Sequence, residues 1–460
     1  MSGFGGGRSN SGGGRRGGGR SGGRSRGGRG RGNRGGGGGG GYGGGGHSPN
    51  TGFHYPQARL KPCKVFMTGN CNNTHCSFAH VIKLYAMIDA SSVIPVHQSR
   101  SSNNNYQNGN GPQMAPVSSV AIWETNGVIK IFTGSHDGFW RLWNTQGGNF
   151  VKEFEHNMGG PVECLVVAAN FLFCGFQSIS PSLPEVTVGM IHAWNLSNPG
   201  DAPLEFNMHN LLPYAHATAV SQLLVVDGQK VLSGSRDGCI RLWQFDASSN
   251  QGKGAFVLAQ TLLGHAREVT GLAMVNSLLW SSSTDGSIRI WDLANNGVCQ
   301  HAITMVTGST PVNPQQLPTP SPHGGHTDAV TGLVSFESPS GIFILSCSLD
   351  GDIKAWNGST GQCVASESHG EGVVCMTLAK DVSGNQILLI GLESGNIMAR
   401  NLVQTPKMPA FTCLFTLAAG YTVAHEGAVK ALIEGPSGTF YSGGMDGKVL
   451  VFQFAGDLGL

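Results

Sequence analysis

Cys63, Cys71, Cys76 and His80 follow one another in the spacing C-x7-C-x4-C-x3-H. Three thiolates and an imidazole complete the tetrahedral shell of a Zn²⁺ ion and leave no position open for water, so one structural, non-catalytic zinc is expected. A segment of about 18 residues has too little apolar surface to fold alone, and zinc binding worth roughly 10–16 kcal/mol supplies what it lacks. Phe66 and Phe78 lie between the ligands, and Arg59, Lys61 and Lys64 stand beside them. Aromatic faces next to cations are the chemistry that single-stranded RNA requires, stacking for its bases and charge for its phosphates. The remaining eight cysteines are scattered with no shared spacing, which reads as buried free thiols in a reducing compartment rather than a disulfide framework.

The segment ahead of this cluster is a second candidate for the same chemistry. Residues 1–50 contain 27 of the 72 glycines, nine arginines and no acidic residue. Glycine keeps such a tract from burying a core, and arginine gives it planar cations that pair with phosphates and stack on bases. Residues 1–52 are therefore expected to be a disordered RGG-like tail. The charge is divided along the chain: residues 1–88 carry 13 Lys+Arg and no acid, while residues 89–460 carry 16 basic and 27 acidic groups. A basic front end ahead of an acidic body is the asymmetry expected when a tail meets a polyanion. No apolar run approaches the length of a membrane span or a signal sequence, so a soluble, intracellular chain is expected.

The elements that must position this chemistry begin after a polar linker, Ser99 to Pro116. From Val117 the texture changes to short β-rich runs, Gly/Asp turns and recurring tryptophans, and a repeat emerges. Its clearest copy runs from Gly264-His265 through Val269 and Leu279–Ser283 to Asp285-Gly286 and Trp291. His216/Val220/Asp237/Trp243 and His326/Val330/Asp350/Trp356 are near copies. His425/Val429/Asp446 places Phe452 in the Trp slot, and His369/Val373 is followed by Ser394 and Arg400 where Asp and Trp belong. Asp137 and Trp143 repeat the back half, as does Gly189–Trp194 with Val188 in the Asp slot. These are seven units.

The units resemble WD repeats, and the resemblance covers residues 117–460. It implies an all-β fold, a seven-bladed β-propeller in which each His, strand Ser and turn Asp form a hydrogen-bonded chain ending on the Trp indole. That lock is expected to be absent from the second unit and weak in the sixth. The period of about 49 residues exceeds the usual 40–45 because Ser178–Glu185 and a Pro/Gly/Ser/Thr loop from Gly308 to Gly324 are inserted. The last unit ends its third strand near Phe454, and an open sheet edge invites aggregation, so the closing strand should come from upstream. Ser92–His97 and Val81–Met87, within a 81–116 linker, are the two candidates.

The cysteine spacing resembles that of CCCH zinc fingers, here over residues 59–80. The resemblance places Phe66 and Phe78 where family members stack aromatics on unpaired bases, and it makes His80 rather than the neighbouring His75 the fourth ligand. One CCCH finger ahead of WD repeats resembles a family of CCCH zinc-finger proteins with WD repeats, known best from plants. The expectation that follows is an RNA-binding adaptor: tail and finger hold single-stranded RNA, and the propeller docks protein partners. A pure protein-interaction scaffold and a substrate receptor of a cullin-type ubiquitin ligase are the alternatives, the latter disfavoured because Trp291-Asp292-Leu293-Ala294 lacks the Arg such receptors carry three residues after Trp-Asp. No nucleophile motif, paired carboxylates or nucleotide fingerprint is present, so neither catalysis nor a small-molecule substrate is expected. Nuclear residence is expected from the RNA-binding composition.

Overall fold

The computed structural model describes residues 58–92, 113–146, 149–207, 214–249, 254–305, 308–311, 324–402, 410–419, 422–456 and 458. The Gly/Arg tract, most of the polar linker and residues 312–323 of the long insertion lie outside them.

Nearly all the regular structure among the described residues is strand, and the strands follow the repeat. Four-stranded antiparallel meanders span residues 117–157, 162–207, 220–262, 269–304, 330–368 and 373–417. The second and third are joined through a short parallel pairing of Phe256 and Val257 with Phe206 and Asn207. The seventh has only three strands of its own, between Val429 and Phe454, and its outer strand is β1 (Ile82–Asp89), antiparallel to Lys448–Phe454. Of the two sequence candidates for closure, it is thus the segment beginning at Val81 that enters the sheet. One piece of the insertion departs from its reading as a loop. Gly308–Pro311 adds a fifth strand to the fourth unit, paired with Val298–Thr304. The insertion at Ser178–Glu185 extends a hairpin whose strands pair as far as Ile179 and Thr187.

Burial changes across each unit. The second strand of the fourth unit, Leu278–Ser283, is buried at five of its six residues, whereas the outer strand of the first, Asn149–Asn157, is exposed nearly throughout. Inner strands have neighbouring units on both faces and therefore read as continuous apolar or small-residue runs, while outer strands face water. The inner strands are also stitched to one another by side chains. Hydroxyls of Ser118, Ser221, Thr270 and Thr331 donate to the carbonyls of Val162, Val269, Val330 and Val373 in the next unit, at 2.5–2.6 Å. The thiols of Cys164 and Cys375 do the same to Val220 and Val429. Every cysteine in the chain is free, and these two serve the ring as small buried donors. A central cavity of about 260 Å³ is lined by inner-strand residues of all seven units, Ser118, Glu163, Ser221, Thr270, Thr331, Cys375 and Lys430 among them.

The lock has the form the repeat implies. In the fourth unit His265 Nδ1 meets Asp285 at 3.2 Å, Nε2 meets Ser281 Oγ at 2.7 Å, and Trp291 Nε1 donates to that Oγ at 2.8 Å. A carboxylate only accepts, so Nδ1 carries the proton and Ser281 donates to Nε2. The third and fifth units repeat this with His216, Ser233, Asp237 and Trp243, and with His326, Ser346, Asp350 and Trp356. The seventh retains His425, Ser442 and Asp446 but has Phe452 where a donor would stand. Gly286 follows the Asp at φ +80°, a conformation that costs a side chain strain. In the sixth unit the lock is gone: His369 is buried with neither ring nitrogen bonded, beside a buried Arg400 in the Trp slot. The first unit substitutes another device. Asp137 pairs with Arg141 at 2.7 Å and accepts the backbone N–H of Ser92, so the chain leaving β1 is tied where the repeat His would sit.

Candidate metal centre and nucleic-acid interface

The finger is built by two local devices. Cys63 N–H donates to Ala79 O at 2.9 Å and Ala79 N–H donates to Lys61 O at 2.8 Å, which clips the first and last ligands side by side. Between them runs α1 (Lys64–Thr68), the one α-helix among the described residues, whose first turn begins at Cys63. Cys63 Sγ accepts the Phe66 backbone N–H at 3.5 Å, and this bond holds the thiol below its ordinary pKa and favours the thiolate.

The ligand atoms of Cys63, Cys71, Cys76 and His80 all lie within 4.8 Å of one another. Cys63 Sγ and Cys76 Sγ are 3.6 Å apart; a zinc–sulfur bond of about 2.3 Å gives a tetrahedral edge of about 3.8 Å. His80 Nε2 is buried with no hydrogen-bond partner, the condition of a nitrogen meant for a metal. Geometry and donor set both suit zinc. His75 is exposed and outside the cluster.

The finger shares a core with the propeller. Met67 and Val81 pack in one cluster with Leu414, Phe415, Phe440, Phe452, Phe454 and Leu458. Arg59 and Leu60 donate their backbone N–H groups to Cys413 and Leu414, on the outer strand of the sixth unit. Residues 53–460 form one compact unit.

On the outside of that core stand the residues singled out for RNA. Arg59, Lys61 and Lys64 are exposed, and none has an ion-pair partner among the described residues. Phe78 is 51% exposed. Phe66 is half-buried: its ring stacks on His80, and the Lys83 ammonium lies 4.8 Å from the ring centroid. Lys83, on β1, was not among the sequence candidates; the signal available was its place among the cations of an acid-free stretch.

Comparison with known proteins agrees with this anatomy. The family described as "WD domain, G-beta repeat" matches residues 107–144, 209–244, 256–292 and 319–357, the stretches around units that have both the turn Asp and the Trp. The chain is 27% identical over 235 residues to "Zinc finger CCCH domain-containing protein 17" of Oryza sativa subsp. japonica, covering 51% of this chain and 44% of that protein. It is 23% identical over 232 residues to "Zinc finger CCCH domain-containing protein 62" of Arabidopsis thaliana, covering 50% of this chain and 46% of that one. The matches thus span less than half the length of these curated relatives. Among solved structures, the "WD40 beta propeller domain of Doa1" superposes with a TM-score of 0.52 at 18% identity, over 75% of this chain and 94% of that one. The fold is a WD-type β-propeller. The chain thus combines a Cys3His cluster with WD repeats, and it is similar to plant proteins named for CCCH zinc fingers.

Proposed function

We propose that this protein is an RNA-binding adaptor: the finger, holding one structural zinc, and the Gly/Arg tail contact single-stranded RNA, while the propeller docks protein partners. One observation carries the reading: exposed Arg59, Lys61 and Lys64, with no ion-pair partner among the described residues, share with an exposed Phe78 a finger anchored to the propeller. Unneutralised cations beside an exposed ring attract phosphates and give a base a face to stack on. The four-ligand shell leaves zinc no catalytic position, which supports a protein that acts by binding. Nuclear residence accords with this role.

Crosslinking to RNA in cells, comparing the natural chain with Cys71→Ser, tests the reading. Loss of most crosslinks in the variant is expected. Undiminished crosslinking, together with intact protein complexes, would favour the scaffold reading, to which WD repeats also lend themselves.

A further inference from the structure

We propose that the RNA-binding surface continues from the finger onto the propeller's closing strand, with Tyr85 as an additional base-stacking residue and Lys83 as the phosphate contact between them. The inference rests on the RNA reading and extends its site.

Three observations place it. Along β1 the register with Lys448–Phe454 jumps between Leu84 and Ala86, leaving Tyr85 with no partner residue on that strand. A bulge of this kind re-aims the extra side chain away from the ladder, and Tyr85 is 48% exposed. Its ring meets Phe150 of the first unit edge-on, centroids 6.5 Å apart and planes at 83°, which props the ring upright at the rim. Two residues earlier, about 7 Å along a strand, Lys83 sits against Phe66, and Phe66 lies on His80. The finger's metal ligand and Tyr85 are thus joined by a short run of ring, cation and ring.

Charge selects the occupant. Lys83 has no ion-pair partner among the described residues, and neither do the three finger cations nearby. No acidic residue occurs before Asp89. Rings alternating with unneutralised cations suit a strand whose bases and phosphates alternate, and stacking accepts any base. Tyr85 also needs some explanation as an exposed ring on a strand whose other half, Leu84, Ala86 and Ile88, is given to the cores on either side.

The test uses the full chain with zinc and a labelled single-stranded RNA of about 16 nucleotides. Tyr85→Ala should weaken binding about tenfold with little change in salt dependence, and Tyr85→Phe, which retains the stacking face, should bind nearly as the natural chain does. Lys83→Gln should lower the slope of log affinity against log salt by about 0.7. Equal thermal unfolding of all variants checks that the closing strand is intact. Should Tyr85→Ala perturb folding, photo-crosslinking of the natural chain to 4-thiouridine RNA replaces it, and an adduct in residues 81–88 is expected. Natural affinity in Tyr85→Ala alongside a loss in Phe78→Ala, or adducts confined to residues 59–80, would overturn the extension while leaving the finger's RNA binding in place. The rim strand would then be free for a protein partner. Absence of RNA binding by the natural chain would overturn both.

Discussion

The Phe66 ring lies flat on the His80 imidazole, centroids 4.4 Å apart and planes 5° from parallel. An aromatic residue from the finger's helix therefore fixes the orientation of the fourth metal ligand. Phe66 thus joins the metal shell to the outer surface, and Phe78 supplies the more exposed ring.

Removing the metal is expected to reach the propeller. Met67 and Val81 belong to the cluster that contains Phe440, Phe452 and Phe454, so a finger that loses its zinc withdraws apolar contacts from the seventh unit. Chelation or Cys71→Ser should abolish stoichiometric zinc and lower the main calorimetric transition by several degrees. A propeller transition that stays in place after zinc is lost would contradict the shared core.

The repeat lock can be weighed in one pair of variants. Burial alone would raise the Asp285 carboxyl, but hydrogen bonds from His265, Ser287 and the Ala266 N–H together outweigh it and hold the group far below the ordinary range. Asp285→Ala removes the acceptor of the Ala266 and Ser287 N–H groups and the charged partner of His265 and should cost about 2 kcal/mol. Ser394, in the same slot of the sixth unit, bonds only its near neighbours, donating to a half-buried Glu371 and accepting the Asn396 N–H at 3.4 Å, and its change to Ala should cost less than about 0.5 kcal/mol. Urea unfolding of both variants measures the difference, and equal losses would contradict the alignment of the repeats.

The sixth unit also predicts a pH dependence. Burial, reinforced by Arg400, pushes the His369 imidazole down to about 3. In the unfolded chain it titrates near 6.5, so between those values the unfolded state binds the proton and the folded state does not. Its contribution is therefore present above about pH 6.5 and is lost as pH falls toward 3, by up to about 1.4 kcal/mol per pH unit. His216 and His265, lowered by the same burial, act in the same direction. His369→Leu should flatten the decline of the urea midpoint between pH 7 and 5. An unchanged slope would show that His369 is protonated in the folded state.

Sequence reading reached the parts of this molecule whose chemistry fixes residue type at a fixed offset. The ligands of one metal must be thiolates and an imidazole, and a lock of Asp, His, Ser and Trp admits few substitutes, so both leave marks that survive without an alignment. The same logic located the sixth unit's departure at Ser394 and Arg400. Packing is less legible. Met67 and Leu458, which join finger and propeller, are ordinary apolar residues with nothing in their neighbours to say what they will touch. Gly308–Pro311 has a turn composition, and it is a strand only because the Val298–Thr304 edge is there to pair with it. The aim of Tyr85 depends on a one-residue slip in register that only the partner strand reveals.

The division of RNA binding between tail and finger is tested most directly by titrating a labelled single-stranded RNA at several salt concentrations. Residues 117–460 alone are the wrong control, because β1 closes the seventh unit; the comparison uses the full chain, a deletion of residues 1–50, Phe78→Ala, and the deletion combined with Cys71→Ser. Loss of the tail should weaken binding and flatten the salt dependence by roughly 0.7 per phosphate contact removed. Phe78→Ala should lower affinity by about 1–3 kcal/mol with the slope nearly unchanged. The combined variant should hardly bind, since residues 117–460 carry 15 basic against 26 acidic groups. Tight RNA binding by that variant would contradict the account.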